Sequence, residues 1–187
     1  MTHLFRRTLL AGLLILIAGC DSSDDPDDLA PSRAQVTVTQ DGQTQSYDGY
    51  AYFANDSSTD AGFVLAISRQ PLQAGEAVLA GEIYYGVLEA QGKPAEQSYT
   101  IISDGETSAT EFAVLYFNFN ANAPGLGILA LGLADDGTVR ITDSSGDTVA
   151  GTMSVTGRYS NAQATDLPFS LEVMFNASQA TGIAEAL

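Results

Sequence analysis

The chain has 187 residues, 45% of them hydrophobic, and its 23 acidic side chains outnumber seven basic ones to give a net charge of −16. Such a charge repels nucleic-acid phosphates and anionic lipid headgroups, and the clusters of Lys and Arg that nucleic-acid binding needs are missing. Composition therefore excludes nucleic acid as a partner, while the apolar content suffices for one core of ordinary size.

The N-terminal stretch is an apolar segment that ends on the only cysteine. Two arginines precede an apolar run of the length, about 7 to 15 residues, that secretory signals use, and Ile17, Ala18, Gly19 and Cys20 close it. These four residues resemble the lipobox of bacterial lipoproteins. The resemblance implies cleavage between Gly19 and Cys20, a diacylglyceryl group on the Cys20 thiol, and stable membrane anchoring by several acyl chains such as palmitate. We therefore interpret residues 1–19 as a lipoprotein signal peptide and expect a location in the cell envelope, facing the periplasm.

Other interpretations of this stretch stay open. A membrane-spanning helix needs about 20 apolar residues, and Asp21 ends the run before that length, so a permanent span is disfavoured. A cleaved signal with an unlipidated Cys20 is the competing reading, and the Arg6-Arg7 pair also admits a twin-arginine signal. Resemblance to enteric lipoproteins implies that Asp21 retains the protein in the inner membrane. Other bacteria sort differently, so the inner and outer membranes both remain alternatives.

An acidic segment follows the cysteine. Residues 20–33 include five aspartates and two prolines and almost no apolar side chain, a composition typical of an extended, disordered linker. We predict a tether that holds the domain away from the membrane. Loss of the signal leaves five basic and 23 acidic side chains, a net charge of −18.

Residues 34–187 show the alternation of period two that is typical of strands, interrupted by Gly and Asp turns such as Asp41-Gly42. The pattern predicts a single all-β domain of about ten strands, either an antiparallel β-sandwich or a β-barrel. Segments 137–142, 150–157 and 171–177 resemble the closing strands of uncharacterised envelope lipoproteins, which supports a β-rich architecture and implies no activity. The predicted strands lie at 36–38, 47–54, 63–67, 83–88, 99–102, 115–119, 129–133, 139–141, 153–156 and 169–175.

Several strands allow their faces to be assigned. Phe63, Leu65 and Ile67 should share one face. Leu115, Phe117 and Phe119 should share another. The segments 113–117 and 127–133 are apolar on both faces, which fits either a sandwich with a covered outer face or a barrel with an apolar cavity.

The residue types restrict the available chemistry. The only histidine lies in the predicted signal, and the lipoprotein resemblance implies that the only thiol is acylated, so we expect no histidine-based nucleophile pair, zinc site or thiol chemistry in the mature chain. A Ser-Lys dyad would have to use Lys93, which we interpret as a loop charge. The acidic turns at 135–137 and 143–147 have calcium-type ligands but ordinary turn spacing. We therefore predict no catalytic residue, no cofactor and no metal site. The glutamates left for a carboxylate pair are Glu82, Glu89, Glu111 and Glu172.

The remaining candidates for contact with a ligand or partner are tyrosines: Tyr50 and Tyr52, which should share a face, and the adjacent Tyr84 and Tyr85. Their alternative role is structural, on a half-buried sheet surface. We expect a membrane-anchored envelope lipoprotein with a non-enzymatic binding or structural role and an envelope protein or glycan as partner. The first alternative is a lipocalin-like carrier of a small apolar ligand, and the second is a glycan-active enzyme that uses carboxylates.

Overall fold

A computed structural model of the chain describes residues 25–26, 29–56, 62–72, 81–103, 108–119 and 128–180. The predicted cleavage site at Gly19, the lipidated Cys20 and the sorting residue Asp21 lie outside these residues. Nowhere in the described ranges does a helix reach the length and apolar character that a membrane crossing requires.

The described residues form one β-rich domain, as the sequence predicts, with nine strands in a single mixed sheet. Because β1 pairs with both β2 and β9, the sheet closes on itself as a barrel with the order β1-β2-β3-β4-β6-β5-β7-β8-β9. The strands are β1 (Arg33–Gln40), β2 (Gln43–Asp56), β3 (Gly62–Ser68), β4 (Gly81–Glu89), β5 (Ser98–Ile101), β6 (Glu111–Phe119), β7 (Ile128–Asp143), β8 (Thr148–Asn161) and β9 (Leu167–Gln179).

The predicted turn at Asp136-Gly137 is wrong, and this explains why the sheet has nine strands rather than ten. β7 continues through these residues, and its register with β8 shifts between Ala134 and Asp136, as at a β-bulge. Gly137 has φ 136°, and its amide donates to the Asp136 carboxylate at 2.8 Å. A Cβ atom there would lie 2.2 Å from the Ser154 carbonyl oxygen, so only glycine fits. By contrast, the predicted two-residue turn at 41–42 joins β1 to β2.

Two pairings are parallel, which the antiparallel prediction did not include. β5 pairs with β6 in parallel through Thr100 and Ile101. β2 pairs with β9 in parallel through Tyr52 and Phe53. The second pairing arises because β1 begins only at Arg33, opposite Asn176, so the ends of β2 and β9 meet directly beyond it.

The barrel interior is filled by the inward side chains of its strands. Phe63, Leu65 and Ile67 are fully buried there, which confirms their shared face. Phe112 stands at the centre of an aromatic cluster, with edge-to-face contacts to Phe63 at 6.2 Å and Tyr99 at 5.2 Å. Since each fully buried side chain of this kind contributes about 1.5–3 kcal/mol, the interior is the main source of stability.

A second apolar cluster covers the outer side of β2, β3, β4 and β6. Leu115, Phe117 and Phe119 share this face, as predicted, but they point outward, since Val114 and Tyr116 occupy the interior. Leu72 and Ala180 also pack against this outer cluster. Its buried members are Ala54, Val64, Ala66, Ile83, Tyr85 and Phe119.

Contacts of the domain extend into the predicted linker. The Asn176 side-chain amide donates to the Leu29 carbonyl at 2.8 Å, and the Ala51 amide donates to the Ser32 carbonyl at 3.3 Å. These bonds connect the segment before β1 to β9 and β2. Residues 29–32, which belong to the predicted linker, therefore contact the domain that the sequence predicts from Ala34 onward.

Candidate functional site

Tyr50 and Tyr52 lie on the outer surface of the barrel, on one face of β2 as predicted. Their rings are nearly parallel, with centroids 6.5 Å apart, and the Arg33 guanidinium lies 4.9 Å from the Tyr50 centroid. Tyr52 is opposite Ala66, so this pair borders the outer apolar cluster. Both side chains are half-buried and available for contact from solvent.

Tyr84 and Tyr85 point to opposite sides of β4. Tyr84 belongs to the interior cluster and Tyr85 to the outer one, and their exposed fractions are 0% and 1%. Neither hydroxyl has a hydrogen-bond partner among the residues that the structure describes. Burial raises the pKa of both phenols, that of Tyr85 to about 12. Of the four predicted contact residues, only Tyr50 and Tyr52 therefore lie at the surface.

The largest exposed apolar side chains of the described residues lie together at the start of β7. Ile128, Leu129 and Leu131 are 49%, 51% and 48% exposed, and we call them the aliphatic patch. Leu131 pairs with Phe117 and Ile128 with Phe119 on β6, so the patch continues the outer apolar cluster toward solvent. Single exposed apolar residues are ordinary, but a contiguous set is typical of an interaction surface.

A groove of about 520 Å³ borders the aliphatic patch. Leu131 and Leu133 line one side of it, and Arg158 and Asp166 line the other. Arg158 pairs with Asp166 at 3.1 Å and with Asp135 at 3.7 Å. An apolar centre beside a charged rim is the arrangement found at many protein–protein interfaces.

The glutamates left for a carboxylate pair lie apart. Glu82 and Glu89 are at opposite ends of β4, and Glu82 pairs with Arg69 at 3.5 Å. Glu111 accepts a hydrogen bond from Ser108 at 2.9 Å, on β6. Glu172 lies on the exposed face of β9, opposite the apolar residues, and accepts from Ser154 at 2.7 Å. Each of the last two carboxylates has a serine partner rather than a second carboxylate in these contacts.

Lys93 has a structural role in the described fold. Its ammonium donates to the Gly146 carbonyl at 2.7 Å and to the Thr148 carbonyl at 3.3 Å. The side chain thus connects the loop after β4 to the turn between β7 and β8. These bonds hold the ammonium at carbonyl oxygens, whereas a Ser-Lys dyad would need it beside a serine hydroxyl.

The acidic turns are stabilised by their own hydrogen bonds. Asp143 accepts from the Ser145 amide at 2.9 Å, and hydrogen bonds from Ser145 lower the pKa of Asp143. Asp136 accepts from Gly137, as described for the bulge. Among the described residues, no group of three or more acidic, His or Cys side chains is arranged to hold a metal ion.

The aliphatic patch was not singled out among the predicted contact residues. The sequence feature that corresponds to it is the segment 127–133, which is apolar on both faces. The sequence alone does not show which of these two faces is exposed to solvent. Comparisons with protein-family models, curated proteins and solved structures found no match. The function must therefore be inferred from these surfaces themselves.

Proposed function

We propose that this protein is a lipid-anchored, non-enzymatic component of the bacterial cell envelope that binds another envelope protein through the aliphatic patch. The observation that carries the proposal is the exposure of Ile128, Leu129 and Leu131, each about half exposed on one strand of an otherwise strongly acidic chain. The lipobox-like residues ending at Cys20 support the anchor.

The chemistry of the patch favours a protein partner with an apolar centre. Each patch side chain has about half of its surface left to bury, which contributes about 1 kcal/mol per residue on binding. The rim of the neighbouring groove carries Asp135 and Asp166 beside one basic side chain, Arg158. A basic rim on the partner would complement both this edge and the negative charge of the whole chain.

The two alternative functions find less support. A carrier of an apolar ligand needs an empty lumen, whereas the described interior side chains pack against one another in one cluster. A glycan-active enzyme needs two converging carboxylates, and the strand glutamates described above lie on different elements or at opposite ends of one strand. We therefore place docking of the protein partner on the outer surface.

Site-specific photo-cross-linking in cells tests the docking. A photoreactive residue at Leu129 should give one distinct adduct with an envelope protein, and the additional substitutions Ile128→Ser and Leu131→Ser should abolish it. The matched control is the same probe at Thr138, an exposed position on the same strand. Equal adducts from both positions, or an adduct that survives the serine substitutions, would contradict docking at the patch.

The anchor has its own test. Membrane fractionation of cells that express Cys20→Ser should release the protein into the soluble periplasmic fraction, whereas the parent chain should remain with the membrane. Metabolic labelling with a palmitate analogue should mark the parent and not the variant. Comparing Asp21→Ser with the parent then shows which membrane holds the protein and whether Asp21 determines the choice. Membrane retention of an unlabelled Cys20→Ser chain would refute lipid anchoring through this residue.

A further inference from the structure

One end of the barrel carries a cluster of tyrosines that the docking proposal does not use. At the end where β1 turns into β2, Tyr47, Tyr84, Tyr116 and Tyr159 come from four different strands. The Tyr84 and Tyr116 rings stack with centroids 5.1 Å apart, and Tyr116 meets Tyr159 edge to face at 5.8 Å. Together with the polar side chains around them, we call these tyrosines the tyrosine mouth.

Arg69 covers this end of the barrel. Its guanidinium lies 4.0 Å from the centroid of the Tyr47 ring and contacts Glu82 at 3.5 Å and Gln45 at 3.4 Å. These polar contacts are long, and the Arg69 side chain is 44% exposed. Since exposed ion pairs contribute little, Arg69 can move aside at small cost.

Beneath Arg69, some buried polar atoms lack a well-formed hydrogen bond to the described part of the chain. The clearest case is the Tyr84 hydroxyl, whose side chain is 0% exposed. The Tyr47 hydroxyl and the Gln40 Nε2 atom are also buried and lack a hydrogen bond of good geometry, but Arg69 lies within hydrogen-bonding reach of Tyr47, and Tyr116 lies within reach of Gln40. Unpaired buried groups are rare in folded proteins, and a bound water is one of their ordinary explanations.

The pKa values of the tyrosines show how closely these groups lie together. Burial raises the pKa of Tyr84, and the nearby Tyr47 and Glu82 raise it further. Burial also raises the pKa of Tyr159 to about 12, with a hydrogen bond from its hydroxyl to Asp41 as the next cause. At neutral pH these phenols are therefore uncharged and can both donate and accept hydrogen bonds.

The strand that lines one wall of the mouth has small residues. The inward positions of β7 at this level are Ala130, opposite Asn118, and Gly132, opposite Tyr116. Gly132 lets Tyr159 pack directly against β7, since a Cβ atom at Gly132 would lie 2.8 Å from the Tyr159 Cβ atom, so Tyr159 forms this wall of the mouth. Sequence inspection identified Tyr84 as a contact residue but could not place it beside Tyr116 and Tyr159, because the three are far apart in the chain.

We propose that the tyrosine mouth binds a small, neutral, hydroxyl-rich molecule such as a sugar unit, with the Tyr84 and Tyr47 hydroxyls and the Gln40 amide as its hydrogen-bond partners. Ligand hydroxyl groups both donate and accept, which matches phenol and amide groups. Arg69 and Glu82 neutralise each other at the entrance, and the Asp41 carboxylate beside Tyr159 adds a negative charge, so an anion finds no uncompensated cationic partner there. The aromatic rings supply apolar surface for the sugar ring. This inference does not rest on the docking proposal.

Isothermal titration calorimetry on the full-length protein in detergent micelles tests this site. The probes are glucose, galactose, N-acetylglucosamine and glycerol, with sulfate and tetramethylammonium as ionic comparisons. We expect saturable binding of at least one neutral probe and of neither ion. The chain has eight tyrosines and no tryptophan, so tyrosine fluorescence gives an independent readout.

Tyr84→Phe is the decisive variant, and Tyr85→Phe is its matched control. Both remove a buried hydroxyl that lacks a protein partner, but Tyr85 lies on the opposite side of the same strand. Loss of one hydrogen bond to the ligand should weaken binding by Tyr84→Phe about 5- to 10-fold. The affinity of Tyr85→Phe should equal that of the parent protein. Absence of binding by all four neutral probes, tighter binding of either ion, or equal affinity in both variants would overturn the proposal.

Discussion

Replacing Tyr84 by Phe should make the ligand-free protein more stable. The Tyr84 hydroxyl is fully buried and has no hydrogen-bond partner within the described ranges, so folding removes it from water without compensation. Such an unpaired group costs about 1–3 kcal/mol, and Phe keeps the ring that stacks on Tyr116. We expect the free energy of unfolding to rise by about 1–2 kcal/mol. For a protein of this size that corresponds to a thermal unfolding midpoint roughly 2 to 8 °C higher.

Differential scanning calorimetry on three matched variants checks this reasoning. Tyr85→Phe should also stabilise, because its hydroxyl is equally buried and unpaired. Tyr99→Phe should destabilise by about 0.5–1.5 kcal/mol, because its hydroxyl donates to the Ala95 carbonyl at 3.0 Å. The change in the free energy of unfolding should therefore be positive for Tyr84→Phe and negative for Tyr99→Phe. A loss of stability in ligand-free Tyr84→Phe similar to that in Tyr99→Phe would refute the assignment of an unpaired hydroxyl.

Three further outcomes follow from the fold. Gly157→Ala should lower the free energy of unfolding by about 1–3 kcal/mol, because the new Cβ would lie 2.3 Å from the Leu133 carbonyl oxygen. Denaturant titration measures this change, and an unchanged free energy of unfolding would contradict the close approach. Lys93→Met should lower the free energy of unfolding by about 1 kcal/mol, because the hydrogen bonds to the Gly146 and Thr148 carbonyls are lost. Proteolysis of the loop after β4 should also become faster. An unchanged rate of proteolysis would contradict the connection between this loop and the turn. The contribution of the Tyr47 phenol to the free energy of unfolding should be fully present below pH 10.0 and be lost between pH 10.0 and about pH 12. The reason is that Tyr47 stays protonated in the folded state up to about 12, whereas in the unfolded chain it ionises at the ordinary pKa of 10.0. Near-ultraviolet absorbance that shows all eight tyrosines ionising near pH 10 in the folded protein would refute this expectation.

The strands were predictable because their signal is local. Alternation in 169–175 assigns the inward and outward residues of β9, and Glu172 lies on the exposed side as that alternation requires. The hairpin at 41–42 was also readable, since an Asp-Gly pair favours a two-residue turn. The same dipeptide at 136–137 gave a wrong prediction of a turn, because a β-bulge also favours a glycine with positive φ. Only the pairing with the partner strand distinguishes a bulge from a hairpin turn.

The candidate surfaces were less predictable because they depend on closure of the sheet. An apolar residue on an outward face looks the same in sequence whether another segment covers it, as at Ile83, or solvent reaches it, as at Leu131. Tyr84 and Tyr85 show a related limit. Alternation places them on opposite faces, but only the register with β3 and β6 shows which one points into the barrel.

The position of β1 determines how the domain would respond to tension. β1 begins at Arg33, and it is bonded along one edge to β2 through seven residue pairs and along the other to β9 through eight. Hydrogen bonds of antiparallel strands run perpendicular to the strand axis, so a pull along β1 shears both ladders at once instead of opening them one bond at a time. In the proposed arrangement, with the membrane at one end and a partner on β7 at the other, the closed sheet can transmit force across the envelope without unfolding.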